Sequence, residues 1–132
     1  MPNQSVLDFE CDPLVKGACA AVAYACRTNG NRPAKDYIEN LPRLDQAKLS
    51  KSFRTIADVG RIVNIERFRK LRGKIYEFKV HPKVRVLCFQ QGKTWYLTHG
   101  FDKETGDTPV RQIKRAERIM SEHLSVSREK ET

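Results

Sequence analysis

Apolar residues recur with a helical period through the first half of the chain, which predicts two helices separated by a proline. The first runs from Pro33 to Leu41 with Asn31 as its cap, because an asparagine side chain can satisfy the free N–H groups at a helix start. Pro42 ends it, since a proline ring disfavours helical angles in the preceding residue. The second helix runs from Leu44 to Val59, and Gly60 stands where a left-handed cap falls. Its predicted core positions are Leu49, Phe53, Ile56 and Ala57.

The hydrophobic period changes to two beyond Gly60, which predicts β-strands. Short turns join three such segments into an antiparallel meander: Lys74 to Val80, Val84 to Phe89 and Thr94 to His99. Upstream, the compact apolar run from Ala18 to Arg27 has the length of a buried strand, and Ser5 to Glu10 is a short candidate strand. Downstream, Gly100 to Asp107 is predicted to be a polar loop.

A last helix is predicted after this loop, with Thr108 as its cap and Pro109 at its first position. Its inward stripe consists of Val110, Ile113, Met120 and Leu124. The order of elements predicts an α+β domain, in which a small, mainly antiparallel twisted sheet packs against two N-terminal helices and one C-terminal helix. We place this domain at residues 18–125. Residues 1–17 form an N-terminal extension of unknown role, and residues 126–132 form a charged, frayed tail.

The charge of the chain is uneven, and it points to a polyanionic partner. The 132 residues include 25 Lys and Arg against 16 Asp and Glu, a formal net charge of +9. Residues 1–66 carry a net charge of +1 and residues 67–132 a net charge of +8; the segment from Arg67 to Arg85 has Glu77 as its single acid. Clustered cations indicate nucleic acid first, and an acidic protein or membrane surface second. A solvated, solubilising face is the alternative of equal weight.

Neither a membrane span nor a zinc site is expected. The longest apolar run, Ala18 to Cys26, is far shorter than the ~20 residues of a membrane helix, and the acidic residues before it are unlike a signal peptide. The cysteines form no CxxC pair, so we expect buried free thiols in a reducing, cytoplasmic compartment: Cys11, Cys19, Cys26 and Cys88. The chain has no glycine-rich phosphate loop and no HExxH or GxSxG motif, so no metal or other cofactor is predicted.

Arg85 is the most informative single residue. It lies inside a predicted strand on the same face as Leu87 and Phe89, and a buried arginine needs an anion. That anion is either Glu77 on the neighbouring strand, which periodicity favours slightly, or the phosphate of a ligand. The surrounding cations suit phosphate contacts to RNA: Arg69, Arg72, Lys74, Lys79 and Lys83.

The three histidines differ in their predicted roles. His123 lies near a helix C-terminus, where the helix dipole stabilises a cation, and His81 lies in a solvated turn. Both are expected to be structural. His99 ends a strand beside a polar loop, where its side chain either enters a cleft or packs structurally.

Three segments, taken in order, resemble the RelE/HigB-like toxins, particularly their phage-derived branch: Leu71 to Lys79, Val84 to Phe89 and His99 to Pro109. They are similar to the family's ELR strand, its arginine-bearing strand and its GFxKK loop before the last helix. Leu41-Pro42 is similar to the family's helix break, so the resemblance covers Ala18 to Leu124. It implies a RelE-like fold and the toxin of a type II toxin–antitoxin pair. Such toxins cleave mRNA, commonly on the ribosome, through attack of the 2′-hydroxyl on the adjacent phosphate without a metal.

The resemblance also implies roles for individual residues. Arg85 matches the family's strand arginine and would stabilise phosphate charge. Lys103 matches the first lysine of FxKK and would bind phosphate or act as an acid. His99 would be the base or the acid, because its ordinary pKa lies near working pH. The expected partners are a cognate antitoxin and mRNA on the ribosome, with contacts to rRNA.

Departures from the family pattern bear on activity more than on fold. Glu104 replaces the second lysine of FxKK, and Asp102 and Asp107 add negative charge to the loop. Lys79 stands where the family pattern has the arginine of ELR. A guanidinium that can donate two parallel hydrogen bonds is thus replaced by an ammonium, which acts as a point charge. These departures leave a second interpretation open, a catalytically silent relative that regulates by binding RNA or an antitoxin. A third is a phage or host-takeover interaction domain with no role in RNA binding.

Overall fold

The computed structural model describes residues 13–131, with side chains described through residue 128. Within this range the chain forms a six-stranded sheet and three helices in a mixed α+β arrangement. The predicted strand at Ser5 to Glu10 lies outside the described residues, and the predicted domain boundaries stay predictions. In chain order the elements are β1 (Val15–Lys16), β2 (Ala21–Tyr24), α1 (Pro33–Glu39), α2 (Arg43–Val59), β3 (Phe68–Arg72), β4 (Ile75–Val80), β5 (Val84–Gln91), β6 (Thr94–Asp102) and α3 (Val110–Glu131).

The strands follow the order β1-β2-β6-β5-β4-β3 across the sheet. β3 to β6 form an antiparallel meander, which confirms the three predicted strands and adds β3 at one edge. β2 lies parallel to β6, and β1 pairs antiparallel with β2 at the other edge. The strand predicted within Ala18 to Arg27 is thus confirmed in its centre.

The sheet differs from the prediction at several strands. β1 has no predicted counterpart, and β5 continues two residues beyond its predicted end at Phe89. β3 has no counterpart among the predicted strands, because it is a short edge strand with three cations and only Phe68 fully buried. β6 continues to Asp102, so Gly100 lies in a strand and not in a loop. The strand extends this far because β5 supplies partners, with Val86 opposite Gly100 and Val84 opposite Asp102.

Helices cover both faces of the sheet. The face under α1 and α2 holds one core, which includes Phe53, Ile56, Phe78, Val86 and Leu97. The face under α3 holds a second core, which includes Ile75, Leu87, Phe89, Ala116 and Ile119. The central strand β5 is therefore buried on both sides from Val84 to Phe89. Arg85 lies on the face that α3 covers, with Leu87 and Phe89 as predicted.

The ends of the first two helices confirm one predicted cap and correct another. Gly60 closes α2 in a left-handed conformation with a φ of 91°. Arg32, not Asn31, holds the cap position of α1. The reason is local: the Asn31 N–H donates to Oδ1 of Asn29 at 2.9 Å in a tight turn, so Asn31 belongs to that turn.

The start of α3 also differs from the prediction. The Pro109 carbonyl accepts the first helical hydrogen bonds, so Thr108 is not the cap. Its hydroxyl donates instead to the Glu77 carboxylate. Val110 is 55% exposed and leaves the predicted inward stripe, whereas Ile113 is buried. The helix continues to Glu131, so the segment predicted as a frayed tail is helical through that residue.

The cysteines match the prediction in part. Cys26 and Cys88 are buried free thiols, but Cys19 is exposed because it lies in the turn between β1 and β2. Cys11 lies outside the described residues. Over residues 13–131, none of the helices combines the length and the apolar character that a bilayer crossing demands.

Candidate active site

Three neighbouring strands place cations on the sheet face that α3 covers. Arg85 on β5 lies directly opposite Lys79 on β4, and on its other side opposite Phe101 on β6. Arg69 on β3 lies opposite Glu77, two residues before Lys79. The Cβ atoms of directly opposed residues are about 4.5–5.5 Å apart. We call Arg69, Lys79 and Arg85 the cation cluster.

Arg85 is 3% exposed, yet no carboxylate of the described residues pairs with it. Its Nη1 donates to the Val84 carbonyl at 2.9 Å, and its Nε has no hydrogen-bond partner within the described range. The ion pair with Glu77 does not form, because the strand register places Arg69 opposite Glu77. A buried, unpaired guanidinium is unfavourable. An anion brought by a ligand would supply the partner that Arg85 lacks among the described residues.

Glu77 is fully buried and bonds Arg69, one member of the cation cluster. Its Oε1 accepts a hydrogen bond from Arg69 Nε at 3.3 Å, and its Oε2 accepts one from the Thr108 hydroxyl. One carboxylate thus ties the edge strand β3 to the residues before α3. The alternation in β4 puts Glu77 on this face, but no local signal points to the contact with Thr108, which lies 31 residues further along the chain.

Lys79 is the partly exposed strand cation beside Arg85. Burial lowers the pKa of Lys79 from its ordinary value of 10.5, and the nearby charges of Arg69 and Arg85 lower this pKa further. Glu77 and Glu66 raise it without cancelling the effect. Like charges directly opposed in a sheet are unfavourable. An anion between Lys79 and Arg85 would relieve that repulsion.

His99 is packed in the interior, one of the two possibilities that its position leaves open. Its ring is fully buried; Nε2 lies 2.9 Å from Gln112 Oε1 on α3, and Nδ1 lies 3.2 Å from the Thr98 hydroxyl oxygen. Burial lowers the pKa of His99 to about 4. The ring is therefore neutral at neutral pH, and Gln112 stands between Nε2 and any ligand approaching past α3.

The loop after β6 carries Lys103 and two of the acidic departures. The Lys103 N–H donates to the Lys83 carbonyl at 2.7 Å, and its ammonium donates to the Gly106 carbonyl within the same loop. Glu104 and Asp107 are exposed. The loop therefore holds the Lys103 ammonium by its own backbone, with the two carboxylates in solvent.

The remaining predicted RNA-binding residues lie away from the cation cluster. Arg72 donates to both carboxylate oxygens of Glu117, at 2.7 and 3.4 Å, and lies about 13 Å along the sheet from Lys79. Lys74 is exposed in the turn between β3 and β4. Lys83 pairs at 3.7 Å with Asp102, whose side chain faces α1 on the opposite face of the sheet. The charge of Asp102 is thus directed away from Arg85.

His123 is buried within α3, which corrects its predicted role as a cation near a helix end. The helix continues for eight residues beyond it. Its Nδ1 accepts a hydrogen bond from the Cys26 N–H at 3.0 Å, and burial lowers its pKa to about 4. His123 is therefore a neutral acceptor. Together with the Arg27–Glu122 ion pair (2.7 Å), it fastens the end of β2 to α3.

The two buried histidines are expected to make the protein less stable as the pH falls from about 6.5 towards 4. The pKa of each is about 4 in the folded state and 6.5 as the ordinary value, so in this window the unfolded chain binds more protons. The free energy of unfolding then falls with decreasing pH, by up to about 1.4 kcal/mol per pH unit for each histidine. Urea unfolding between pH 4.5 and 7 measures this slope.

Replacing His123 with glutamine is expected to reduce the slope of the free energy of unfolding against pH by the contribution of one histidine. His81 is exposed in its turn, as predicted, and His81→Gln is the matched variant for loss of an imidazole from the surface. A His123→Gln protein with the slope of the wild type would show that His123 is not buried in its neutral form.

A family model matches most of this chain. It is described as "Phage derived protein Gp49-like (DUF891)", and it covers residues 36–121, about two thirds of the sequence. The matched range begins within α1 and ends within α3, so it contains the whole cation cluster, His99 and the Lys103 loop. No curated protein matches the chain.

Proposed function

We propose that this chain, which belongs to the phage-derived Gp49-like family within the RelE/HigB-like toxin superfamily, is the toxin of a type II toxin–antitoxin system and cleaves mRNA on the ribosome. Membership of this family is consistent with a toxin of such a system, and it suggests an antitoxin as a partner. The ribosome and the cleavage of mRNA are the finer parts of the proposal.

The observation that carries the proposal is the buried guanidinium of Arg85, which has no carboxylate partner among the residues whose side chains the structure describes. It is buried on a rigid strand, opposite Lys79 and next to the β3–β4 pair that holds Arg69. Cations held on rigid elements before the substrate arrives stabilise developing negative charge without reorganisation. A phosphodiester carries the negative charge that such a cluster would stabilise.

In the proposed reaction, the ribose 2′-oxygen attacks the adjacent phosphorus, and the bond from phosphorus to the 5′-oxygen breaks. Arg85 would stabilise the charge that develops on the phosphate oxygens. Lys103 is proposed as a second phosphate contact once its ammonium leaves the Gly106 carbonyl. His99 is proposed as the base, because its neutral ring has a site for a proton. For the RNA to reach the ring, Gln112 has to rotate off Nε2, and the ring's own proton has to lie on Nδ1, towards the Thr98 hydroxyl, so that Nε2 can accept the 2′-hydroxyl proton.

The proposed partners follow from this chemistry. The ion pairs of Arg72 and Lys83 would have to open for these residues to contact RNA. The cations proposed to contact the mRNA or rRNA backbone are Arg69, Arg72, Lys74, Lys79 and Lys83. A ribosomal substrate implies action in the cytoplasm. The reaction as proposed uses side chains of this chain and no cofactor, and a cognate antitoxin would be the partner that restrains it.

A catalytically silent relative that binds RNA or an antitoxin is the second candidate function. Two observations favour it: the His99 ring is closed off by Gln112, and the Lys103 ammonium is bonded within its own loop. Neither predicted proton-transfer group therefore faces an incoming RNA. Such a protein would keep its affinity for an anion at Arg85 but would leave the RNA intact.

Induced expression without an antitoxin separates the two candidates. The endoribonuclease is expected to arrest growth and to create new mRNA ends in constant phase with the codons, which primer extension maps. Arg85→Ala combined with His99→Ala is expected to relieve the arrest. A folded wild-type chain that leaves growth and mRNA unchanged contradicts the proposal. If that chain binds RNA with an affinity that falls steeply with salt, the silent candidate is favoured.

A further inference from the structure

Lys79 is a partly exposed lysine beside the proposed phosphate position. The register sets Lys79 directly opposite Arg85 on the same face, and Lys79 is partly exposed where Arg85 is buried. A phosphate held by Arg85 therefore lies within reach of the Lys79 ammonium, because opposed Cβ atoms are about 4.5–5.5 Å apart and the lysine stem is flexible.

The two groups to which the family pattern assigns proton transfer are engaged elsewhere. The His99 ring is buried, with contacts at both nitrogens, and its pKa of about 4 leaves it almost without a proton to give at neutral pH. The Lys103 ammonium donates to the Gly106 carbonyl. Among the described residues around Arg85, Lys79 thus offers an amine on a partly exposed side chain.

The neighbours of Lys79 make it a better acid than an ordinary surface lysine. Burial lowers the pKa of Lys79, followed by the charge of Arg69 on β3 and, more weakly, that of Arg85 on β5. The opposing groups are Glu77 on the same strand and Glu66 before β3. A lowered pKa strengthens a proton donor. An arginine, the residue that the family pattern has at this position, keeps its proton at all working pH values.

We infer that Lys79 is the general acid of the proposed endoribonuclease and protonates the departing 5′-oxygen. The inference rests on the proposed function. As the 2′-oxygen bonds to phosphorus, the P–O5′ bond breaks and its electron pair stays on the 5′-oxygen, which takes a proton from Lys79 Nζ. The 2′-hydroxyl proton passes to the base, for which His99 is proposed, and from the base to water, while water returns a proton to the Lys79 amine. The products are a 2′,3′-cyclic phosphate and a 5′-hydroxyl.

A substrate with sulfur in place of the bridging 5′-oxygen tests this role. Sulfur leaves without protonation, because thiols are far more acidic than alcohols. On ribosomes programmed with ordinary mRNA, Lys79→Arg is expected to lower the cleavage rate by about 10²–10⁴-fold. On the same mRNA with one 5′-sulfur at the mapped cleavage site, Lys79→Arg is expected to cleave at nearly the wild-type rate. Lys93→Arg, in the exposed turn between β5 and β6, is the matched control.

The outcomes separate this inference from the proposed function. The inference would be overturned if Lys79→Arg cleaved ordinary mRNA at the wild-type rate. It would also be overturned if Lys79→Arg had the wild-type melting temperature and lost the same factor in cleavage rate on both substrates. A wild-type chain that cleaves neither substrate would remove the proposed function and the inference with it.

A second measurement does not depend on how well the variant folds. The wild-type rate on ordinary mRNA is expected to fall at alkaline pH, below the ordinary lysine pKa of 10.5, as the Lys79 ammonium loses its proton. The rate on the 5′-sulfur mRNA is expected to lack this fall. The same alkaline fall on both substrates would overturn the inference.

Discussion

Replacing Arg85 with methionine is expected to remove mRNA cleavage while making the protein more stable. The cleavage rate is expected to fall by about 10²–10³-fold or more, the usual effect of deleting a group that stabilises transition-state charge. The free energy of unfolding is expected to rise by about 1–2 kcal/mol, because an apolar side chain of similar length replaces a buried guanidinium that lacks a carboxylate partner among the described residues. Residues kept for function commonly reduce stability in this way.

Two measurements on the same preparation check this prediction: urea unfolding, and cleavage of mRNA on programmed ribosomes. Arg43→Met, at the exposed start of α2, is the matched control and is expected to change neither quantity. A large loss of stability in Arg85→Met would mean that the guanidinium supports the fold, and the loss of cleavage would then say nothing about phosphate.

Replacing Gly100 with alanine is expected to destabilise the protein by about 3 kcal/mol or more, because the added methyl group has no space. A Cβ at this position would lie 1.9 Å from Cδ2 of Tyr37. The ring is held in place, since its hydroxyl shares its one proton between the Phe101 carbonyl oxygen at 3.0 Å and Asp102 Oδ1 at 2.7 Å. Gly100 therefore lets α1 pack directly on β6, and this accounts for a glycine in the His99-Gly100-Phe101 segment.

Thermal unfolding of single and double variants measures the clash between Gly100 and Tyr37. In a Tyr37→Ala background, Gly100→Ala is expected to cost little further stability, because the ring that it meets is gone. Gly92→Ala is the matched glycine control: its φ is +61° with open space around it, so a cost of about 1 kcal/mol is expected from the backbone alone. Additive losses in the double variant would show that the ring is not the obstacle.

Elements that depend on neighbouring residues can be predicted from the sequence, whereas elements that depend on pairing with a distant segment cannot. The break at Pro42, the cap at Gly60 and the three predicted strands depend on residues within a few positions of each other. The length of β6 depends on β5, and β2 lies parallel to β6 through pairs such as Tyr24 with Leu97. Periodicity within one segment carries no information about such partners.

The candidate site shows the same limit. Alternation correctly places Arg85 and Glu77 on one face. Whether they form an ion pair depends on β3, because its register sets Arg69 opposite Glu77, and β3 is too short and too polar to be predicted. The bond from Thr108 to Glu77 spans 31 residues, and that from Cys26 to His123 spans 97. The strand face on which Arg85 and Glu77 lie is thus readable from the sequence, whereas the partners of these side chains come from the fold.

The most direct measurement is the fate of one defined mRNA on purified, programmed ribosomes after addition of the purified chain alone. The proposed function predicts cuts in constant phase with the codons, with a 2′,3′-cyclic phosphate on one fragment and a 5′-hydroxyl on the other, and no cuts with Arg85→Met. Intact mRNA after incubation with the folded wild-type chain would contradict it.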